Sequence, residues 1–592
     1  MKVTTWGSDM AIQGLPEGHF YHETIRKLGK RRWFPSQKVW VMPAWLSIME
    51  DVKRWLPSLV WDEDINKIYY QAAAEEQRRQ EMANGNYSVP ADAFDGVNFK
   101  TTPYDHQKVA LYLGRDLPEF AYLMDQGTGK TKTIIDDVAH NFRKGRINAF
   151  LIISPNSVKT NWVDCDENEK NPDQITVHMP DDVPCIKASF FSNPSQSQQK
   201  AIDKLLKAIN LESKALLILS INVESLYLER MQHMLQNFCN RRDVFCAIDE
   251  STRIGRHSAK RSKVAHNLRK VTKIRRIASG TPVIKSPLKA YSQFYFLNPD
   301  IMGKATFTEF QARYAIVRGL HNTPVSYTNL DELRQKIAGC SYRVTKDQCL
   351  DLPPKVYQKR LIPLTPEQNR LYQQMRKEAI VAIQKTERVV DGHVFIEATN
   401  VMVQMLRLQQ IVAGYLPQVD ELTGKQTGVI KIGNSTPPKI EETIDLMEAC
   451  EDEKVIIWCK FKFEVREMCQ ALKDAGITYV KFDGDTTEQD RIHARQSFQS
   501  DPGLRCFVGQ IQTGGIGLNL YAASQVVYLS NPFSTEDRVQ SEDRAHRIGQ
   551  TRSVTYTDLI SPKTIDERVL DVLRANKRVS EMVLGDTYQA WI

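Results

Sequence analysis

Residues 120–142 read FAYLMDQGTGKTKTIIDDVAHNF. An apolar run, a turn with glycines at 127 and 129, and a segment with Ile134, Ile135, Val138, Ala139 and Phe142 at helical spacing give strand, glycine-rich turn and amphipathic helix in that order. This is the context a phosphate-binding loop needs. Gly127 and Gly129 let backbone N–H groups approach phosphate oxygens, and the helix N-terminus adds the positive end of its dipole. Lys130 reaches the β and γ phosphates, and Thr131 offers its hydroxyl to Mg2+. The full pattern G-x-x-x-x-G-K-[ST] is incomplete, however, because Met124 occupies the first glycine position. The remaining G-x-G-K-T also arises from composition alone as a plain glycine turn, so the segment does not decide the matter by itself.

Working outward, the short apolar runs Phe120–Met124, Ala149–Ile153, Ala215–Leu219, Val244–Ile248 and Arg275–Ala278 alternate with longer segments of helical period. Alternation of this kind predicts a parallel sheet wrapped by helices. A second series, Val455–Trp458, Tyr479–Phe482, Cys506–Val508, Val526–Leu529 and Thr555–Leu559, predicts a second lobe of the same α/β class. The intervening text, such as NLDELRQKIAGC and EQNRLYQQMRKEAIVAIQKTERVV, is charged and amphipathic and reads as helical insertions. LTGKQTGVIKIGNSTPPK reads as a loop leading into the second lobe.

Two further stretches carry chemistry. VFCAIDEST is an apolar run ending in Asp249 and Glu250, where a parallel strand delivers both carboxylates to the sheet edge that bears the phosphate loop. Asp249 suits Mg2+, and Glu250 suits orienting and deprotonating a water; a solvated strand end is the plainer alternative. In QSEDRAHRIGQ, Gln540, Arg544 and Arg547 fall at i, i+4 and i+7, which puts all three on one face of a helix. The choice there lies between a surface salt-bridge face and arginine fingers for a nucleotide γ-phosphate.

Composition bounds the rest. The 592 residues exceed one hydrophobic core, so several domains are expected, and the 79 Lys+Arg against 71 Asp+Glu give only a mild lean toward polyanions. The ten cysteines form no C-x-x-C pair, so neither structural zinc nor a redox site is expected. No apolar stretch approaches the ~20 residues of a membrane span. An intracellular soluble protein of a bacterial or phage-infected cytoplasm is the expectation, with no membrane partner.

The stretches PYDHQKVALYL, MDQGTGKT, LIISPNSVKTNW, LLILSINVESL, AIDEST, ASGTPVIKSPLKAYSQFYFLNP, YRVTKDQCLDLPPK, LTPEQNRLYQQM, KVIIWCKFKFEV, VKFDGDTTEQDR, QTGGIGLNLYAASQVVYLSNPF and QSEDRAHRIGQ occur in that order over roughly residues 100 to 585. In this the chain resembles the Swi/Snf-like, chromatin-remodeller-type DNA-dependent ATPases of helicase superfamily two, which keep only the G-x-G-K-T half of the phosphate loop. The resemblance implies two RecA-like parallel-sheet lobes with helical insertions and a small N-terminal accessory domain. The boundaries expected are 1–99 for the accessory domain, 100–300 for lobe one, 301–438 for the insertions and linker, 439–560 for lobe two and 561–592 for a C-terminal brace helix.

It also implies ATP and Mg2+ as cofactors. Gln107, Gly127, Thr128, Gly129, Lys130, Thr131, Gly515, Gly517, Arg544 and Arg547 would lie about the nucleotide, with Thr131 and Asp249 on the metal. Pro155, Asn156, Lys159, Ser220, Asn222, Lys460, Gly484, Thr486, Arg491, Thr513 and Gly514 stand where such proteins touch the phosphodiester backbone. Ser279, Gly280 and Thr281 would couple hydrolysis to lobe movement, as would Thr252, which replaces the histidine usual in the family.

The N-terminal text RKLGKRRWFPSQKVWVMPAW interleaves Arg26, Lys27, Lys30, Arg31, Arg32 and Lys38 with Trp33, Phe34, Trp40 and Trp45. It suits either nucleic-acid contact or a solvated turn over a small tryptophan-rich core. FPSQKVWVMPAW is similar to the substrate-recognition module ahead of the motor in annealing-helicase relatives. The function implied is an ATP-dependent translocase on double-stranded or forked DNA, with replication, recombination or defence proteins as partners. The alternatives are a strand-annealing or fork-reversing helicase, a non-hydrolysing DNA-binding scaffold, and a polymerase-recycling ATPase.

Overall fold

A computed structural model describes the chain apart from positions 8, 17–18, 29–30, 86, 165–171, 192–193, 212, 281, 284–285, 304–305, 319–322, 386–387, 391–392, 396–397, 420–425, 451–452, 515–517 and 585–592. It divides into two compact units, one built mainly from Met1–Met124 and Gly129–Val344, the other from Asp125–Thr128 and Thr345–Val579.

Among the described residues the first unit holds a seven-stranded sheet in the order Ser341–Val344, Glu119–Met124, Ile274–Ala278, Val244–Asp249, Ala149–Ser154, Leu216–Asn222, Cys185–Ser189. Every neighbouring pair is parallel. Its central strands are apolar throughout because helices cover both faces, so Phe120 to Met124 and Ala149 to Ile153 are all buried. The runs expected as strands are strands. Cys185–Ser189 and Ser341–Val344, at the two edges, carry Lys187 and Arg343 and gave no apolar signal.

The N-terminal segment belongs to this unit and forms its own five-stranded sheet, ordered Arg32–Phe34, Val39–Pro43, Asp9–Gln13, Lys2–Trp6, Val60–Trp61. One face buries Val3, Met10, Ile12, Trp40 and Met42 against Ile25, Ile48, Met49 and Val52 of its helices. Asp300 anchors it. Its carboxylate accepts from Leu46 N at 3.1 Å and Ser47 Oγ at 3.0 Å, capping the helix Leu46–Trp55 from outside the segment.

The second unit holds a six-stranded, all-parallel sheet among the described residues, ordered Lys355–Leu361, Val554–Ile560, Gln525–Tyr528, Val455–Cys459, Cys506–Gln510, Tyr479–Phe482. The stretch 301–438, expected as helical insertions, is more varied. Ser341–Val344 joins the first sheet, Lys355–Leu361 joins the second, and Ala315–Arg318 with Thr323–Tyr327 makes an antiparallel hairpin. Gln426–Lys431, inside the stretch expected to be a loop, pairs with Tyr415–Val419. Lys355–Leu361 mixes charged and apolar residues and buries none of them fully.

A buried charge pair fixes the phosphate-loop helix Lys130–Arg143 to the first sheet. Arg276 Nε donates to Asp137 Oδ2 at 2.7 Å, and its NH2 donates to the carbonyls of Gly114 at 2.8 Å and Leu117 at 3.0 Å. Asp137 also accepts from Tyr122 Oη at 2.7 Å and from Asn141 Nδ2 at 2.8 Å. Both charged side chains are fully buried. Removing one partner strands the other's charge, so Arg276→Ala is expected to cost about 3–5 kcal/mol in denaturant unfolding; a loss under about 1 kcal/mol, the scale of a surface pair, would contradict this.

Candidate active site

The strand Glu119–Met124 runs into the turn with Gly127 at φ 83° and Gly129 at φ 88°, a left-handed conformation that disfavours side chains. Gly129 has a second reason to lack one: a Cβ there would lie 1.9 Å from Gln107 Nε2. Gln107, from the helix Asp105–Gly114, is buried, and its Oε1 accepts from Tyr104 N at 3.0 Å. Lys130 opens the following helix and donates to the Met124 carbonyl at 2.9 Å, so its ammonium stays over the turn. Thr131 is half-buried in the same first turn, and Thr128 is buried with its hydroxyl on the Asp125 carbonyl at 2.7 Å.

Asp249 ends the strand Val244–Asp249. Its Oδ2 accepts from Trp162 Nε1 at 3.0 Å and its Oδ1 from Glu250 N at 3.0 Å. Burial pushes its carboxyl above the ordinary range, while the Lys130 ammonium and the Trp162 N–H pull it back. Lys130 and Asp249 thus share one electrostatic site. Glu250 takes φ 50°, left-handed for a non-glycine residue, and starts the short turn Ser251–Ile254 that holds a buried Thr252. Glycines at a helix start, a lysine and a carboxylate beside it, and a hydroxyl in the first turn fit a nucleotide triphosphate with Mg2+. The nucleotide would be held by Gly127, Gly129 and Lys130, the metal by Thr131 and Asp249.

In the second unit, Gln540 lies in the helix Thr535–Glu542, but Arg544 and Arg547 lie beyond it. The single helical face expected of the three residues is therefore not formed. The helix stops because Glu542 and Asp543 are drawn into a charge cluster: Lys346 Nζ donates to Asp543 Oδ1 at 2.6 Å and to the His546 carbonyl at 2.7 Å. Lys355 lies 3.3 Å from both acids, and Tyr357 Oη donates to Glu542 at 2.8 Å. The two arginines still converge, since Arg544 NH1 at 3.1 Å and Arg547 NH1 at 3.2 Å share the Leu518 carbonyl. Arg544 NH2 donates to Gln126 Oε1 at 2.6 Å, within the segment Asp125–Thr128 that groups with this unit.

The residues expected at a nucleic-acid backbone divide. Asn156 and Gly484 are exposed, and Asn222, Thr486, Arg491 and Thr513 are half-buried. Pro155 and Ser220 are buried. Lys159 is only 2% exposed, with its ammonium on the Phe190 carbonyl at 2.5 Å and 3.6 Å from the Phe191 ring centroid. Lys460 is turned onto Gln409 and the Phe533 ring, and burial pushes its ammonium down to about 8. These two lysines bond within their own units here. Ser279 and Gly280 are buried, and Gly514 ends the short helix Ile511–Gly514; Thr281, Gly515 and Gly517 lie outside the described residues. Trp162, Lys346 and Asp543 were not singled out, and only their membership in the motif-bearing stretches could have flagged them.

The described residues contain no helix long and apolar enough to cross a membrane and no His/Cys/Asp/Glu group able to hold a metal ion by itself. The cluster around Asp543 makes a pH-dependent prediction. Burial pushes Lys346 from 10.5 to about 8, although Asp543 opposes the shift; burial raises Asp543 too, but the two ammoniums outweigh this and hold it well below the carboxylate range. With its folded value below its unfolded one, Lys346 costs stability below pH 8 and stops costing it above 10.5. Asp543→Asn is expected to destabilise by about 3–5 kcal/mol near neutral pH, and by less above pH 8, where Lys346 is neutral. Denaturant unfolding on both sides of that value checks it; an equal loss at both would contradict it.

Comparison with known proteins gives two family models in chain order, the SNF2-related domain over residues 121–414 and the helicase conserved C-terminal domain over residues 438–549. An uncharacterized ATP-dependent helicase of Mycoplasma pneumoniae is 26% identical over 492 residues, 82% of this chain and 42% of that protein. The human DNA annealing helicase and endonuclease ZRANB3 is 28% identical over 347 residues, 57% of this chain and 29% of that one. The yeast TATA-binding protein-associated factor MOT1 is 26% identical over 390 residues, 58% and 20%. The chain thus spans about two fifths or less of the length of these relatives. Among solved structures, the Sulfolobus solfataricus SWI2/SNF2 ATPase core in complex with dsDNA is 22% identical, with a TM-score of 0.36, covering 83% of this chain and 94% of that one. With both domain models matched in order over residues 121–549, the chain carries the two-domain arrangement of the SNF2-related family.

Proposed function

We propose that the chain hydrolyses ATP to move along double-stranded DNA. The observation that carries the reading is the group Gly129, Lys130, Thr131, Asp249 and Glu250, in which one lysine serves both the phosphate turn and the acidic strand end. Lys130 and the helix N-terminus bind the β and γ phosphates. Mg2+, when bound, neutralises charge developing on those phosphates. Glu250, fixed on a left-handed turn, orients the attacking water and takes its proton. Arg544 and Arg547, both anchored on Leu518, neutralise the γ-phosphate in the transition state.

Asn156, Asn222, Thr486, Arg491 and Thr513 are polar and accessible enough to meet the DNA backbone, which makes binding indifferent to sequence and sensitive to salt. A soluble, cytoplasmic setting is part of the same proposal. A non-hydrolysing scaffold is the weaker reading, since no member of the catalytic set has been replaced.

A second reading, remodelling of forked DNA by strand annealing, is favoured by the N-terminal module. Trp33 is 37% exposed there, edge-on to His22, and Arg26, Lys27, Arg31, Arg32 and Lys38 are all exposed around it. An exposed indole among cations suits unpaired bases at a junction. ATP turnover measured with linear duplex, forked DNA, single strands and RNA tests the proposal. Duplex and fork are expected to stimulate, and Lys130→Ala to lower turnover at least ~100-fold; stimulation by RNA but not by duplex would overturn it.

A further inference from the structure

Gln293 is fully buried in the helix Lys289–Leu297, where its neighbours Phe294, Phe296 and Leu297 pack into the core. A polar residue at such a position is costly unless both ends of its amide are satisfied. Here they are. Oε1 accepts from Ser251 Oγ at 2.7 Å, and Nε2 donates to the Pro282 carbonyl at 2.6 Å and to the Lys289 carbonyl at 3.1 Å.

The two partners belong to different segments. Ser251 follows the carboxylate pair Asp249-Glu250, and its own turn is secured at the far end by Ser262 Oγ on the Ile254 carbonyl at 2.9 Å. Pro282 closes the Ser279–Pro282 stretch that follows the strand Ile274–Ala278. That stretch is tied to the phosphate-loop strand as well: Ser279 N donates to the Tyr122 carbonyl at 3.3 Å, and Arg343 NH1 bridges the carbonyls of Gly280 at 3.2 Å and Leu123 at 3.1 Å.

We propose that Gln293 is a positioning residue that couples the acidic turn to the Ser279–Pro282 stretch, so that displacement of one is passed to the other. The proposal rests on the hydrolytic reading above and adds to it a link through a side chain that touches no nucleotide atom. Thr252 stands where the family carries histidine, and the next residue back, Ser251, makes the bond that reaches Gln293. The strain of Glu250 at φ 50° makes the turn sensitive to this bond, because a left-handed carboxylate residue persists only where its surroundings hold it. A buried, fully paired amide transmits a shift instead of absorbing it, since breaking either bond leaves an unpaired group in the core.

Two variants test this in the full chain. Gln293→Leu removes all three bonds at nearly constant volume, and Ser251→Ala removes one with a smaller lesion. Basal ATP turnover and ATP KM are measured beside DNA-stimulated turnover and the ATP consumed per third strand displaced from a triplex. Basal turnover and KM are expected to stay within about twofold, while ATP consumed per displacement rises about tenfold, a typical coupling strength. The double variant is expected to be no worse than Gln293→Leu alone, because both act through one bond. Proportional loss of turnover and displacement, as a merely structural residue would give, or wild-type behaviour in both variants, would overturn the proposal. A wild-type chain without DNA-stimulated turnover would overturn the hydrolytic reading instead, and this proposal with it.

Discussion

The Arg276–Asp137 pair is the contact that ties the proposed phosphate site to its neighbours in the first unit. Asp137 lies on the helix that begins with Lys130, and Arg276 lies on the strand that leads into Ser279. Through NH2 the same guanidinium holds the Gly114 carbonyl, at the end of the helix that carries Gln107. One buried cation therefore sets the spacing of the phosphate helix, the Gln107 helix and the segment after the strand. A charge pair this deep gives little net stability, but it tolerates only one arrangement, and registration is what a phosphate site requires.

The second unit solves a similar problem differently. Its arginines are placed by a turn, and the turn is held by Lys346 and Lys355 on Asp543 and Glu542. Both lysines come from the stretch that opens the unit. The segment that reads as a connection between lobes thus supplies the ions that break the helix after Glu542 and aim Arg544 and Arg547 at the same carbonyl.

Much of this was legible in the sequence because of where burial falls. Central strands covered on both faces must be apolar, so Phe120–Met124, Val244–Ile248 and Val455–Trp458 announced themselves. The edge strands Cys185–Ser189 and Lys355–Leu361 pair on one side only and keep lysines and arginines, so they carried no run to find. The strand, glycine turn and helix around Gly127, Gly129 and Lys130, and the strand end at Asp249, were readable because short segments fix their geometry. Gln293, Trp162 and the Lys346–Asp543 pair depend on contacts between residues 42, 87 and 197 positions apart, which spacing along the chain does not encode. The contacts of the Lys159 and Lys460 ammoniums with the Phe191 and Phe533 rings were hidden for a related reason, since they exist only in the folded chain.

On the proposed reading, phosphate turn, acidic turn and arginine turn serve one motor that converts hydrolysis into movement on an intact duplex. Displacement of a triplex-forming strand tests that most directly, because it registers movement without requiring the duplex to be unwound. ATP-dependent displacement that is lost in Arg547→Ala is the result predicted. ATP turnover stimulated by duplex DNA with no displacement, or displacement at the same rate without ATP, would contradict it.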